Sequence, residues 1–120
     1  MPKTIIQKAD QATILPQPWG ELTWYANGEM GNSHELTVGK CVLKPGMENP
    51  LHMHPNCSEV LVVFKGTIEH VIEEGKTARM EAGETISIPS NLYHNAKNVG
   101  EEDAILFITY PSAHRETKGE

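Results

Sequence analysis

The sequence predicts a single domain built of short antiparallel β-strands. Three observations carry that reading. Apolar segments of four to eight residues, rich in Val, Ile and Thr, are separated throughout by turn-forming residues. The ten glycines and eight prolines are dispersed along the chain, and none cluster into a linker. Beyond residue 35 no segment has a helical period, so alternating βαβ units are excluded in favour of a sandwich or barrel.

Strands are expected at Leu36–Leu43, Glu59–Phe64, Thr67–Ile72, Thr85–Ile88, His94–Asn98 and Ala104–Tyr110. Turns fall between them at Pro45-Gly46, Lys65-Gly66, Glu74-Gly75, Ala82-Gly83 and Gly100. Residues 1–35 hold Trp19, Trp24 and Tyr25 in a stretch broken by Pro and Gly, and form an N-terminal extension to a barrel spanning 36–120. With 120 residues in one core, such a domain buries roughly 65% of its unfolded surface, a thin margin that dimerisation would widen.

Composition narrows the partners. Sixteen acidic against ten basic residues give a net charge of −6, which disfavours nucleic acid and anionic membranes. No apolar run approaches the roughly 18 residues that span a bilayer. The stretch Met1 to Lys8 lacks the apolar core of a signal peptide, so a cytoplasmic location is expected. There, Cys41 and Cys57 should remain thiols, and the sequon Asn56-Cys57-Ser58 carries no glycan.

The chemistry is concentrated in two stretches. In His52-Met53-His54, extended backbone sends both imidazoles to one side. Glu59 opens the next strand on the same face as Leu61 and Val63, where a carboxylate is costly unless a cation compensates it. His94 follows Pro89-Ser90-Asn91. Three imidazoles and one carboxylate suit a divalent transition metal and leave positions open for a ligand. An isolated His-x-His with a solvated Glu is the plainer alternative.

Spacing decides between them. Gly46 is followed after five residues by His52, then by His54, by Glu59 after four more, and by Gly66 after six. After sixteen intervening residues comes Gly83, followed after five by Pro89, after four by His94, and after three by Asn98. These two stretches closely resemble the paired motifs of the cupin superfamily, over residues 36–110. The one departure is Asn91, where families often carry Gly, and Asn tolerates the left-handed turn best among other residues.

The resemblance implies an antiparallel jelly-roll β-barrel holding one metal ion in its mouth through His52, His54, Glu59 and His94. Manganese, iron, nickel and zinc all accept that donor set. It implies turns at Gly46, Gly66 and Gly83, Pro89 at a strand start, and Ala96 and Asn98 pointing inward. It also implies a homodimer in which N-terminal strands pair across the interface.

Other residues are more ambiguous. His70 shares a face with Ile68 and Ile72 and reads as a half-buried strand histidine, with a cavity role as the alternative. Cys57 could ligate only as a thiolate, although four better-placed donors exist. Tyr93 should face away from the site. Tyr110, His114 and Arg115 follow the last strand, where the resemblance to some sugar-acid cupins would imply catalytic residues, but they read as the start of a solvated tail; Arg79 faces either water or an acidic ligand. The reaction stays open, because this fold hosts many chemistries. One candidate is a small isomerase or lyase acting on an oxygen-rich carboxylate or sugar-acid-like ligand. The others are an iron-dependent dioxygenase and a non-catalytic small-molecule-binding or sensor protein.

Overall fold

A computed structural model describes residues 3–73 and 75–119. Among the described residues there are nine strands: β1 (Thr13–Gln17), β2 (Gly20–Ala26), β3 (Thr37–Leu43), β4 (Glu59–Lys65), β5 (Thr67–Glu73), β6 (Lys76–Glu81), β7 (Thr85–Ile88), β8 (Ala96–Asn98) and β9 (Ala104–Tyr110). All pair antiparallel, in a six-stranded sheet ordered β1-β2-β3-β9-β4-β7 and a three-stranded sheet ordered β6-β5-β8. The only helical element among the described residues is a single 3₁₀ turn at Ala9–Gln11.

The core lies between the sheets because strands alternate strictly. In β3, Thr37, Gly39, Cys41 and Leu43 face inward, and in β9 Ala104, Leu106, Ile108 and Tyr110 do the same. Ile68 of β5, Met80 of β6 and Ala96 of β8 meet them from the smaller sheet. Gly39 is glycine for lack of room: a Cβ there would lie 2.4 Å from the Trp24 ring.

Three expectations need correction. The N-terminal stretch supplies two strands of the large sheet, and Trp24 enters the core at 6% exposure. β1 is mostly exposed and carries Pro16, so it has no alternation to read, as befits an edge strand. β6 is a strand that the sequence does not signal, because Met80 is its one buried residue. The strand expected at His94–Asn98 begins at Ala96, while His94 is held separately in an antiparallel bridge with His52. The expected turn at Glu74-Gly75 falls partly outside the described residues.

Other expectations are met. Gly46, Gly66 and Gly83 take φ of 75°, 95° and 93°, and Asn91 takes 68°, the left-handed conformation its position requires. Cys41 and Cys57 are both buried thiols and form no disulfide. Among the described residues no helix is long and apolar enough to cross a membrane.

Candidate metal centre

Backbone pairing builds the centre. The amide of His52 donates to the carbonyl of His94 at 3.0 Å, and that of His94 donates back at 2.7 Å. Residues exchanging both hydrogen bonds stand directly opposite, so their side chains share a face. The two imidazole centroids are 4.4 Å apart. His54 lies two residues along the same extended segment, and Glu59 is the first inward position of β4. One ligand atom from each of His52, His54, Glu59 and His94 lies within 4.8 Å of the others, and all four residues are buried.

The hydrogen bonds around the cluster bear on whether a metal fits. Nδ1 of each imidazole faces a backbone carbonyl: His52 that of Pro50 at 2.7 Å, His54 that of Glu116 at 3.0 Å, and His94 that of Leu92 at 2.8 Å. A carbonyl only accepts, so each Nδ1 carries a proton, and a ring with no second proton turns its Nε2 lone pair inward. Yet Nε2 of His54 and of His94 both lie 3.1 Å from Oε1 of Glu59. Lone pairs facing a carboxylate oxygen need a cation between them, either protons on the rings or a metal ion. A spacing of 3.1 Å is also close to the edge between neighbouring ligands whose metal bonds are about 2.1 Å. The donor set fits a divalent transition metal.

Electrostatics agrees. Burial, with the nearby His94 and His54, keeps His52 below its ordinary pKa despite the carbonyl of Pro50, so it stays neutral and able to ligate. Burial alone would raise Glu59, but its hydrogen bonds with His54 and His94 prevail and hold it well below the usual carboxylate range. Burial next to Glu59 pushes the Tyr110 phenol well above its ordinary value, with Arg115 opposing.

A cavity of about 30 Å³ adjoins the cluster, with Leu61, His70, Leu106, Tyr110 and Arg115 in its walls. His70 is 1% exposed, not half-buried; its ring stacks on that of His94 with centroids 5.7 Å apart. Its place follows from the inward alternation of β5, shared with Ile68. The tail is not simply solvated either. Tyr110 is buried, and Arg115 is half-buried with its guanidinium over the rings of Trp24 and Tyr110, 4.4 and 5.2 Å from their centroids. His114 is exposed, as expected for a tail.

Long-range hydrogen bonds hold the tail there. Asn56 accepts from the Glu116 amide and donates to the His114 carbonyl, both at 2.8 Å, and Met53 exchanges two bonds with Lys118. No sequence pattern encodes pairings across some sixty positions. Tyr93 faces outward at 48% exposure, and Arg79 lies on the surface beside Glu81. Cys57 is buried but outside the four-residue cluster, and burial raises its thiol above its ordinary value.

A family model described as the cupin domain matches residues 39–110, more than half of the chain. The chain belongs to the cupin family. A germin-like protein from Morus alba is 29% identical over 85 residues, covering 68% of this chain and 41% of that protein. Oxalate oxidase GF-2.8 from Triticum aestivum is 31% identical over 88 residues, covering 68% of this chain and 39% of its own length. The cupin thus spans about two fifths of the length of these relatives. Among solved structures, an oxalate decarboxylase from Bacillus subtilis, described for its Mn(II) centres, superposes with a TM-score of 0.81 at 18% identity. That match covers 88% of this cupin and 29% of the other chain, and it shows the fold: an antiparallel jelly roll.

Proposed function

We propose that this cupin is a metal-dependent enzyme in which His52, His54, Glu59 and His94 hold one divalent transition metal and an oxygen-rich carboxylate or sugar-acid-like ligand is isomerised or cleaved. The observation that carries the reading is the convergence of His52, His54 and His94 on the buried Glu59 carboxylate beside a cavity walled by Tyr110 and Arg115. When bound, the metal would supply Lewis acidity toward ligand oxygens. Around it, Leu61, Leu106 and Ile108 exclude water, and the neutral Tyr110 phenol is directed at Glu59. The carbonyls of Pro50, Leu92 and Glu116 keep the imidazoles aimed inward. Relatives named for oxalate chemistry lend support to a small carboxylate, and the Mn(II) centres of the Bacillus subtilis protein make manganese the first metal to try.

The test is exchange chemistry. Protein loaded with manganese, iron, nickel or zinc is incubated in D₂O with a panel of sugar acids and 2-oxo acids, and deuterium at carbon next to the carboxylate is followed by NMR. Metal-dependent incorporation is expected. Oxygen consumption by the iron-loaded protein, without exchange, replaces this reading with a dioxygenase; tight binding without turnover replaces it with a sensor or binding protein.

We also propose that the protein is a cytoplasmic homodimer. The outer face of the six-stranded sheet carries Val60 and Phe64 at 43% and 65% exposure, with Phe64 edge-on to Phe107 at 5.4 Å. β1 leaves an open edge for strand pairing between subunits. Light scattering should give twice the 13.3 kDa chain mass at micromolar concentration; a monomer mass contradicts it.

A further inference from the structure

A second cavity of about 800 Å³ lies outside the metal centre, and the two share Trp24 and Arg115. The inner cavity, at about 30 Å³, holds roughly two waters' worth of ligand. Only a small group can reach the metal, and the rest of any larger ligand must occupy the outer space. Its walls carry Thr13, Asn27 and Glu29, whose side chains can bind hydroxyls.

Arg115 stands at the boundary between them. Its side chain is fixed by the Trp24 and Tyr110 rings and by a hydrogen bond from Nη1 to Oγ1 of Thr117. The backbone around it is fixed as well, through the Gly28 amide to the Ala113 carbonyl at 2.9 Å and through Asn56 on both sides. A planar fork of five donors held in place suits a carboxylate and loses little entropy on binding one. The chain carries a net charge of −6, so an anion needs a local cation to enter.

Building on the metal reading above, we infer that Arg115 is the specificity-determining residue of the site, binding the carboxylate of a polyhydroxylated acid whose hydroxylated chain lies in the outer cavity. The same tail that brings Arg115 to the boundary also holds His54 through the Glu116 carbonyl and Thr117. The Glu116 support is a backbone carbonyl, so it does not depend on the Arg115 side chain.

The test combines protein and ligand variants. Metal content is first measured on wild type, Arg115→Met and Arg115→Lys loaded with manganese; each should hold the same amount. Binding of D-gluconate and of the uncharged polyol D-glucitol is then measured by calorimetry and NMR titration. Arg115→Met should bind gluconate at least about tenfold more weakly than wild type, with Arg115→Lys between them, and all three should bind glucitol alike. Arg115→Lys preserves the charge that sits over Trp24, so it serves if the Met variant folds poorly. Equal gluconate affinity in metal-loaded wild type and variants, or no gluconate binding by metal-loaded wild type, overturns the assignment while leaving the metal reading intact. Failure of wild type to take up metal overturns the metal reading itself, and this inference with it.

Discussion

Oε1 of Glu59 lies 3.1 Å from Nε2 of His94, a residue thirty-five positions later, and both are almost wholly buried. A carboxylate on the inward face of β4, between Cys57 and Leu61, would be among the costliest residues in the core if it were unpaired. What compensates it determines how the protein responds to substitution, acid and metal.

Replacing Glu59 with Gln keeps the shape and the acceptor oxygen that faces His54 and His94, but removes the charge. Apo stability should change little or rise, while metal stabilisation should collapse. Wild type at a metal concentration a hundred times its Kd gains about 2.7 kcal/mol, and the variant should gain only a small fraction of that. Thermal melts with and without metal check this. A full metal-dependent shift in the variant would remove Glu59 from the ligand set.

Acid should weaken the apo protein. His52 and His70 have pKa values lowered by burial, so below about 6.5 the unfolded chain binds protons that the folded chain refuses. Their contribution is complete above that range and declines as pH falls through it. Glu59, also held low in the folded state, adds a second loss below about 4.3. Both signs agree, so urea midpoints should drop steadily from pH 7 to pH 4. Midpoints constant from pH 7.5 to 5 would show that the histidines are not buried neutral.

Asn98 tests the frame behind the centre. It is fully buried; Nδ2 donates to the carbonyls of Leu43 at 2.8 Å and Glu102 at 2.7 Å, and Oδ1 accepts from the Gly100 amide at 2.9 Å. Asn98→Ala removes all three bonds at once and should cost about 2–4 kcal/mol in denaturant unfolding. A loss below about 1 kcal/mol would mean that the loop closing β8 onto β3 is held by other contacts.

Much of this was legible in the sequence, for a physical reason. Strands such as β3 and β9 bury every second residue, so alternation exposes both their type and their inward face. The four candidate ligands were legible because their spacing resembles the two cupin motifs; alternation by itself shows only that His52 and His54 share a side. The positions of Arg115 and Trp24 were not. Arg115 reaches the site through tail pairings with Asn56 and Met53, and Trp24 through a strand whose burial is irregular. His70 was visible as an inward residue, but its depth depends on β8 closing over β5, a pairing no local pattern reveals.

The most direct measurement is the metal content of the purified protein by elemental analysis, before and after incubation with manganese, iron, nickel and zinc, alongside His52→Ala and Glu59→Gln. The account predicts about one transition-metal ion per wild-type chain, with most of it lost in both variants although they remain folded. Less than a tenth of an equivalent in folded wild type after reconstitution, or equal metal in all three proteins, would contradict it.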